Sequence, residues 1–246
     1  MELKSIILIV FVIVIIYILF RYMFQDINTL QQNIVNGQNM TTIEASTLAT
    51  NGSNVPTNNF AYSIWFYIND WNYRYGEPKV IYGRMGSPDG GGPCPSVVLG
   101  AYDNNLSISL ACYPGMDSPS HAASSSSEEV HRCNVANVPI QKWVNLLISV
   151  YGRTLDVYID GKLVKTCLLP GIAKINTDAN VYITPQNGFS GWTAKFQYWP
   201  NSLNPQDAWN VYEKGYGSSI LGNLFGTYQV EVSVLENGTT TSSIKI

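Results

Sequence analysis

Residues 154–167 read TLDVYIDGKLVKTC, with Asp156 and Asp160 four positions apart around Tyr158. Two carboxylates flanking one bond are what glycoside hydrolysis requires: one protonates the leaving oxygen while the other attacks or activates water. The spacing denies them that arrangement. Asp160-Gly161 is a two-residue hairpin dipeptide, with Leu155, Val157 and Ile159 alternating before it and Leu163 after it. It supplies the positive-φ positions of a type I′ turn. Asp156 therefore falls on a strand and Asp160 in the turn that ends it, not together in a cleft. Of the other acids, Glu128-Glu129 sits in a serine-rich stretch, and Glu231 and Glu236 lie in the tail.

Other site chemistries meet similar gaps. The chain has two histidines, His121 and His131. His131 with Cys133 lacks the four tetrahedral ligands and paired spacing of a structural zinc site. No G-x-S-x-G elbow is present, and Gly90-Gly91-Gly92 lacks the Lys-Ser/Thr that follows a phosphate loop. Asp103-Asn104-Asn105 offers loop oxygens, so Asp103 and Asn105 are calcium candidates, but calcium takes roughly six to eight ligands and few acids lie nearby. A hairpin turn is the preferred reading there. No other cofactor is expected. In NDWNYRYGEP, the aromatics Trp71, Tyr73 and Tyr75 have the shape to stack on sugar faces, or to cover the end of a sandwich. Cys94, Cys112, Cys133 and Cys167 allow three pairings. The turn at Asp103–Asn105 brings Cys94 towards Cys112 across a hairpin, leaving Cys133 with Cys167, although spacing alone does not choose. Asn39, Asn51, Asn105 and Asn237 each begin an N-x-S/T triplet.

The elements that must position these residues are short strands. FAYSIWFYIND alternates, with Phe60, Tyr62, Ile64, Phe66 and Ile68 on one face. KVIYGR, PSVVLGAY, LSISLACY, VPIQKWVNLLISVYG, the Asp160-Gly161 hairpin, NVYITP and GWTAKFQYWP follow, punctuated by Gly, Pro and Asn. Such a run predicts an all-β, two-sheet antiparallel jelly-roll sandwich. PGMDSPSHAASSSSEE reads as a long surface loop between Tyr113 and Val130. LNPQDAWNVYEKGYG predicts a short helix capped by Asn204, started by Pro205 and stopped by Gly215. The tail, residues 218–246, predicts a second hairpin at Asn237-Gly238 that closes the sandwich or adds an edge for a partner.

Sixteen residues from Ser5 to Phe20 carry no charge, between Lys4 and Arg21. Ile6, Ile7, Leu8, Ile9, Val10, Phe11, Val12, Ile13, Val14, Ile15, Ile16, Tyr17, Ile18, Leu19 and Phe20 are its apolar body. With its flanks the stretch reaches about 20 residues, or roughly 30 Å of helix, the thickness of a bilayer core. No small-residue cleavage site follows, which argues against a signal peptide. Residues 1–24 are thus expected to be a single membrane anchor. Residues 25–58 read as a polar connector or an extended arm, with Ile27, Leu30 and Ile34 at helical spacing. Residues 59–217 form the sandwich. Charged residues make up 13% of the chain and the net charge is −3, so the basic footprint of a nucleic-acid binder is missing.

FAYSIWFYI, QKWVNLLISVYGRTLDVYIDGKLVKTC and GFSGWTAKFQYWPNSLNPQDAWNVYEKG resemble the laminin-G-like, concanavalin A-like lectin/glucanase superfamily over about residues 59–217. The resemblance implies a jelly roll, with lectin or glucanase activity among its members and calcium in some. Its glucanases use an E-x-D-x-x-E strand, which this chain lacks. One apolar span, one jelly roll and the ending GYGSSILGNLFGTYQVEVSVLENG resemble membrane-anchored minor capsid proteins of large double-stranded DNA viruses. That layout implies a non-enzymatic structural protein in the internal membrane and capsid layer of a virion, with the lipid bilayer and shell proteins as partners. A membrane-anchored carbohydrate-binding lectin is the alternative, and a glycoside hydrolase the third reading.

Overall fold

A computed structural model describes residues 11–12, 14–16, 26–48, 58–89, 91–114, 129–217, 231–236 and 239–245. Phe11, Val12, Val14, Ile15 and Ile16 are helical. The rest of the expected anchor lies outside the described residues, and among the described residues no helix is long and apolar enough to cross a membrane. The serine-rich stretch 115–128, with His121 and Glu128, and the Asn237-Gly238 turn also lie outside them.

The body is a sandwich of two antiparallel sheets. Sheet A orders β1 (Thr29–Gln31), β13 (Ser190–Trp199), β4 (Phe60–Asp70), β9 (Trp143–Tyr151), β10 (Thr154–Ile159) and β11 (Lys162–Leu168), with β2 (Val35–Asn36) also on β13. Sheet B orders β3 (Thr41–Ile43), β12 (Val181–Ile183), β5 (Lys79–Arg84), β6 (Ser96–Leu99), β7 (Leu106–Cys112) and β8 (Glu129–Val135). Alternation decides which side chains meet between them. Phe60, Tyr62, Ile64, Phe66 and Ile68 of β4 are buried against Ile81, Val97 and Ile108 of sheet B and their neighbours. Tyr62 lies 4.9 Å from Tyr198 and 5.8 Å from Phe196 between ring centroids. Burial raises the Tyr62 hydroxyl well above its ordinary pKa, although Arg84 pulls it down. The buried Arg84 guanidinium donates to the carbonyls of Ala179 and Thr177.

Three sequence expectations need correction. Ile27, Leu30 and Ile34 do not continue a helix: Thr29–Gln31 pairs with β13 as a strand, and three apolar residues are too few to distinguish the two periods. Residues 41–43 then cross to sheet B and pair with β12, so residues 29–43 form an arm along the sandwich's own edges. The surface loop ends earlier than expected, because Glu129 already pairs with Cys112 in the ladder of β8. EVHRCNV gave little signal because an edge strand keeps only Cys133 and Val135 buried.

The third correction concerns the cysteines. Cys133 and Cys167 form a disulfide with Cα atoms 6.1 Å apart, while Cys94 and Cys112 remain thiols. β6 pairs with β7 as Ser96↔Ser109, so Cys94, two residues earlier, falls opposite Ala111 and one residue out of step with Cys112. A cross-strand bridge requires directly facing partners. The disulfide instead joins β8 and β11, the outermost strands of the two sheets on the same side.

The Asp160-Gly161 turn has φ values of 50° and 72°, both in the left-handed region. Asp160 is a structural acid. Its Oδ1 accepts the Asn145 N–H at 2.9 Å and its Oδ2 meets Lys142 Nζ at 2.9 Å. Asp156 accepts the Thr166 hydroxyl at 2.6 Å, so the two carboxylates have separate structural roles. Helix α1 (Pro205–Glu213) lies over this hairpin, closed by reciprocal bonds between Asn204 and Asp207 and begun by Pro205. Its Ala208 and Val211 bury against Leu147 and Tyr158 on the outer face of sheet A. The strands β14 (Glu231–Glu236) and β15 (Thr239–Lys245) pair as a separate two-stranded sheet.

Two outcomes follow from this packing. Gly161→Val forces a β-branched residue to positive φ, with its Cβ 3.0 Å from Tyr212 Cβ and 3.3 Å from Trp209 Cα. Chemical denaturation should show a loss of about 1–3 kcal/mol from the backbone alone, with the clash adding to it. Denatured without reductant, the chain should take up two alkyl groups by mass, and four after reduction. Four without reductant would remove the disulfide, whose 34-residue separation predicts about 4 kcal/mol of stabilisation. In the native protein Cys112 should label slowly at neutral pH, since burial pushes its thiol up to about 11.

Candidate functional site

The expected loop aromatics do gather at one end of the sandwich, but most of their stacking capacity is already engaged. Trp71 packs against the core, donates its indole N–H to the Tyr102 carbonyl at 3.1 Å, and carries the Lys79 ammonium 4.9 Å from its ring centre. Burial, and then Arg74, lowers the pKa of that lysine. The Tyr73 hydroxyl donates to the Asn187 carbonyl at 3.1 Å. Arg74 braces the same end through the Gln186 and Gly188 carbonyls and Glu77. Tyr75 remains 60% exposed, edge to face with Tyr102 at 5.6 Å.

The calcium candidates form a closed turn. The Asn105 N–H donates to the Asp103 carbonyl at 2.7 Å, and the Asn105 carbonyl accepts the Gly100 N–H at 2.8 Å. Among the described residues, no group of three or more His, Cys, Asp and Glu is placed to hold a metal ion. His131 stands on β8 opposite Leu110, and its neighbour Cys133 is in the disulfide.

A second aromatic surface, which sequence reasoning missed, lies on the outer face of sheet A. The ladders pair Trp192 with Tyr67 and Tyr67 with Trp143, so three strands place three aromatics in one row. Ring centroids step 5.5 Å from Trp192 to Tyr67 and 5.9 Å from Tyr67 to Trp143. Asn36 flanks the row opposite Trp192, which is 39% exposed. The next row towards helix α1 holds Ala194, Trp65 and Asn145. Trp65 stacks under Tyr212 of the helix at 5.6 Å.

The chain leaving α1 runs back over this face. Gly215, at φ 64°, ends the helix, and Tyr216 stacks on Trp143 at 4.4 Å and 24°. Two donors hold the segment. Lys195 stands at an irregularity of β13, itself at φ 44°, and its Nζ donates to the Gly215 carbonyl at 2.7 Å. Burial lowers its pKa, Asp26 raises it, and Lys214 lowers it further. Gln32, from the arm, donates to the Tyr216 carbonyl at 3.3 Å. An apolar row with amide and indole groups beside it suits a ligand with apolar faces and hydroxyl edges. The odd numbering of Trp65 and Tyr67, opposite in phase to the core residues of β4, was the available signal. Their partners on β13 and β9 were not.

A groove of about 430 Å³ runs along the disulfide edge between Val135–Pro139 and Val164–Lys165. It holds no aromatic residue and is set apart from this row.

Three solved structures are similar to the chain, and the first two, at TM-scores of 0.50 or above, share its fold. A tryptophan-to-alanine mutant of HCR/D is 13% identical with a TM-score of 0.51, over 74% of this chain and 41% of that one. The receptor binding domain of botulinum neurotoxin D is 12% identical with a TM-score of 0.50, over 77% and 54%. Domain 4 of AbnA, a GH43 extracellular arabinanase from Geobacillus stearothermophilus in complex with arabinotriose, is 17% identical with a TM-score of 0.48, over 73% and 75%. The chain thus spans about half, or less, of the first two. No curated protein matches it. A laminin G model described as "Concanavalin A-like lectin/glucanases superfamily" matches residues 41–208, most of the two-sheet body. The chain belongs to the concanavalin A-like lectin/glucanase superfamily.

Proposed function

We propose that this protein is a membrane-anchored, non-catalytic module that binds carbohydrate on the outer face of sheet A. The observation that carries the reading is the in-register row Trp192–Tyr67–Trp143. Aromatic rings fixed on adjacent strands are rigid and lose little entropy on binding, and this row, its neighbouring rings edge to face at 61° and 62°, offers both faces and edges to the C–H groups of a sugar chain. Residues 6–20 hold the module at a bilayer, and the paired arm sets its distance from it. The roles of Asp156 and Asp160 in the fold support binding without hydrolysis.

The test uses the full chain in a non-glycosidic detergent, screened against immobilised glycans and then titrated with the best soluble oligosaccharide. Trp192→Ala should weaken Kd by about tenfold, equivalent to about 1.4 kcal/mol. Trp71→Ala should lower Tm and leave Kd unchanged, because Trp71 is a packing residue here. Equal binding by wild type and Trp192→Ala would refute the reading.

A tether between an internal virion membrane and its capsid is the second reading, favoured by the β14–β15 pair. A lone two-stranded hairpin is marginal in water, so it gains from adding to a partner's sheet. The chain would then stay with the shell when particles are stripped of lipid by detergent. Quantitative release with the lipid fraction would eliminate it.

A further inference from the structure

We propose that Tyr216 is a built-in occupant of one sugar subsite, and that the segment 214–217 is a strap which the ligand displaces. The inference rests on the carbohydrate reading above and adds a location and a control to it.

Two buried polar atoms carry it. Trp65 Nε1 and Asn145 Oδ1 have no hydrogen-bond partner among the described residues. Trp65 is 5% exposed and Asn145 fully buried. They belong to directly paired residues on β4 and β9, and both side chains lie on the outer face, in the row beside Tyr67 and Trp143. Burying an unpaired donor or acceptor is costly, so such atoms mark places where something else completes the bonding. Asn145 is held in place, because its Nδ2 donates to Ser63 Oγ at 3.0 Å. Its oxygen is thus presented as a fixed acceptor, next to a fixed indole donor.

Tyr216 covers this spot. Its ring stacks on Trp143 at 4.4 Å, a geometry that a pyranose would reproduce, and lies tilted 5.4 Å from Trp65. Placed as it is, Tyr216 makes no hydrogen bond to either atom. A pyranose can bond to both: its C–H face replaces the phenol ring on Trp143, one hydroxyl donates to Asn145 Oδ1, and another oxygen accepts from Trp65 Nε1. The strap is built to leave. Glycines stand on both sides of Tyr216, Gly215 already at φ 64°, and the segment is held chiefly through the backbone carbonyls of Gly215 and Tyr216, by Lys195 and Gln32. A closed strap lowers apparent affinity by the fraction of molecules that are open.

The experiment titrates cellohexaose and chitohexaose into the full-length wild type, Tyr216→Ala and Lys195→Met in a non-glycosidic detergent. It also follows the Trp65 indole N–H by ¹⁵N NMR. Tyr216→Ala should bind about three- to tenfold tighter. Its Trp65 indole proton should exchange faster with water before ligand is added. Lys195→Met, which removes the hold on Gly215, should shift both readouts in the same direction and serves as the test if Tyr216→Ala does not fold. Binding by the wild type that is unchanged or weaker in Tyr216→Ala would overturn the strap and leave the carbohydrate reading standing. If neither oligosaccharide binds any of the three proteins, while the glycan screen yields no other sugar, the carbohydrate reading fails and the strap with it.

Discussion

The structure hangs on the pairing of β4 with β9 at the centre of sheet A, because that pair is buried from both sides. Even-numbered residues of β4 face sheet B, and Ala61, Ser63 and Trp65 are almost as deeply buried on the other face. A strand covered twice cannot slip by one residue, since a slip would send Phe66 outward and Trp65 into the core. The same pairing therefore sets the core, the seat of helix α1 and the position of the aromatic row. Polar groups on the covered outer face are built into the packing: Ser149 Oγ donates to the Leu203 carbonyl and accepts its N–H, both at 2.9 Å, which fixes the approach to the helix.

The open margins of the sandwich are closed by different means. On one side the arm adds β1 and β2 to sheet A and β3 to sheet B, so one polar segment covers an edge of each. On the other side the Cys133–Cys167 disulfide ties the two outermost strands together. β11 is otherwise exposed along almost its whole length, with Lys162 and Lys165 discouraging edge-to-edge association. The covalent tie holds a strand that burial alone would hold weakly.

The proposed sugar surface lies where the outer face runs out of cover. Helix α1 shields the rows near Tyr158, and the strap shields Trp143, leaving Trp192 half open. The loop end looks richer in aromatics by sequence, yet Trp71 and Tyr73 there serve as struts, bonded to the carbonyls of Tyr102 and Asn187. Membership of a lectin/glucanase superfamily agrees with a sugar surface but does not place it. The placement proposed above rests on the row and the unpaired atoms beside it.

What the sequence determined by itself was local. Alternation marked β4, β5, β7 and β10, Asp160-Gly161 marked a turn with two positive φ values, and Asn204-Pro205 with Gly215 bounded the helix. Each is set by backbone preferences within a few residues, which any reader of the chain can apply. The strands within the arm, and β8, escaped because edge strands bury too little to show a period. The failure of Cys94 to meet Cys112 and the row Trp192–Tyr67–Trp143 escaped for a different reason: both depend on register between strands. Only the tertiary structure decided them, because register is fixed by the simultaneous burial of both faces of sheet A and not by any segment alone.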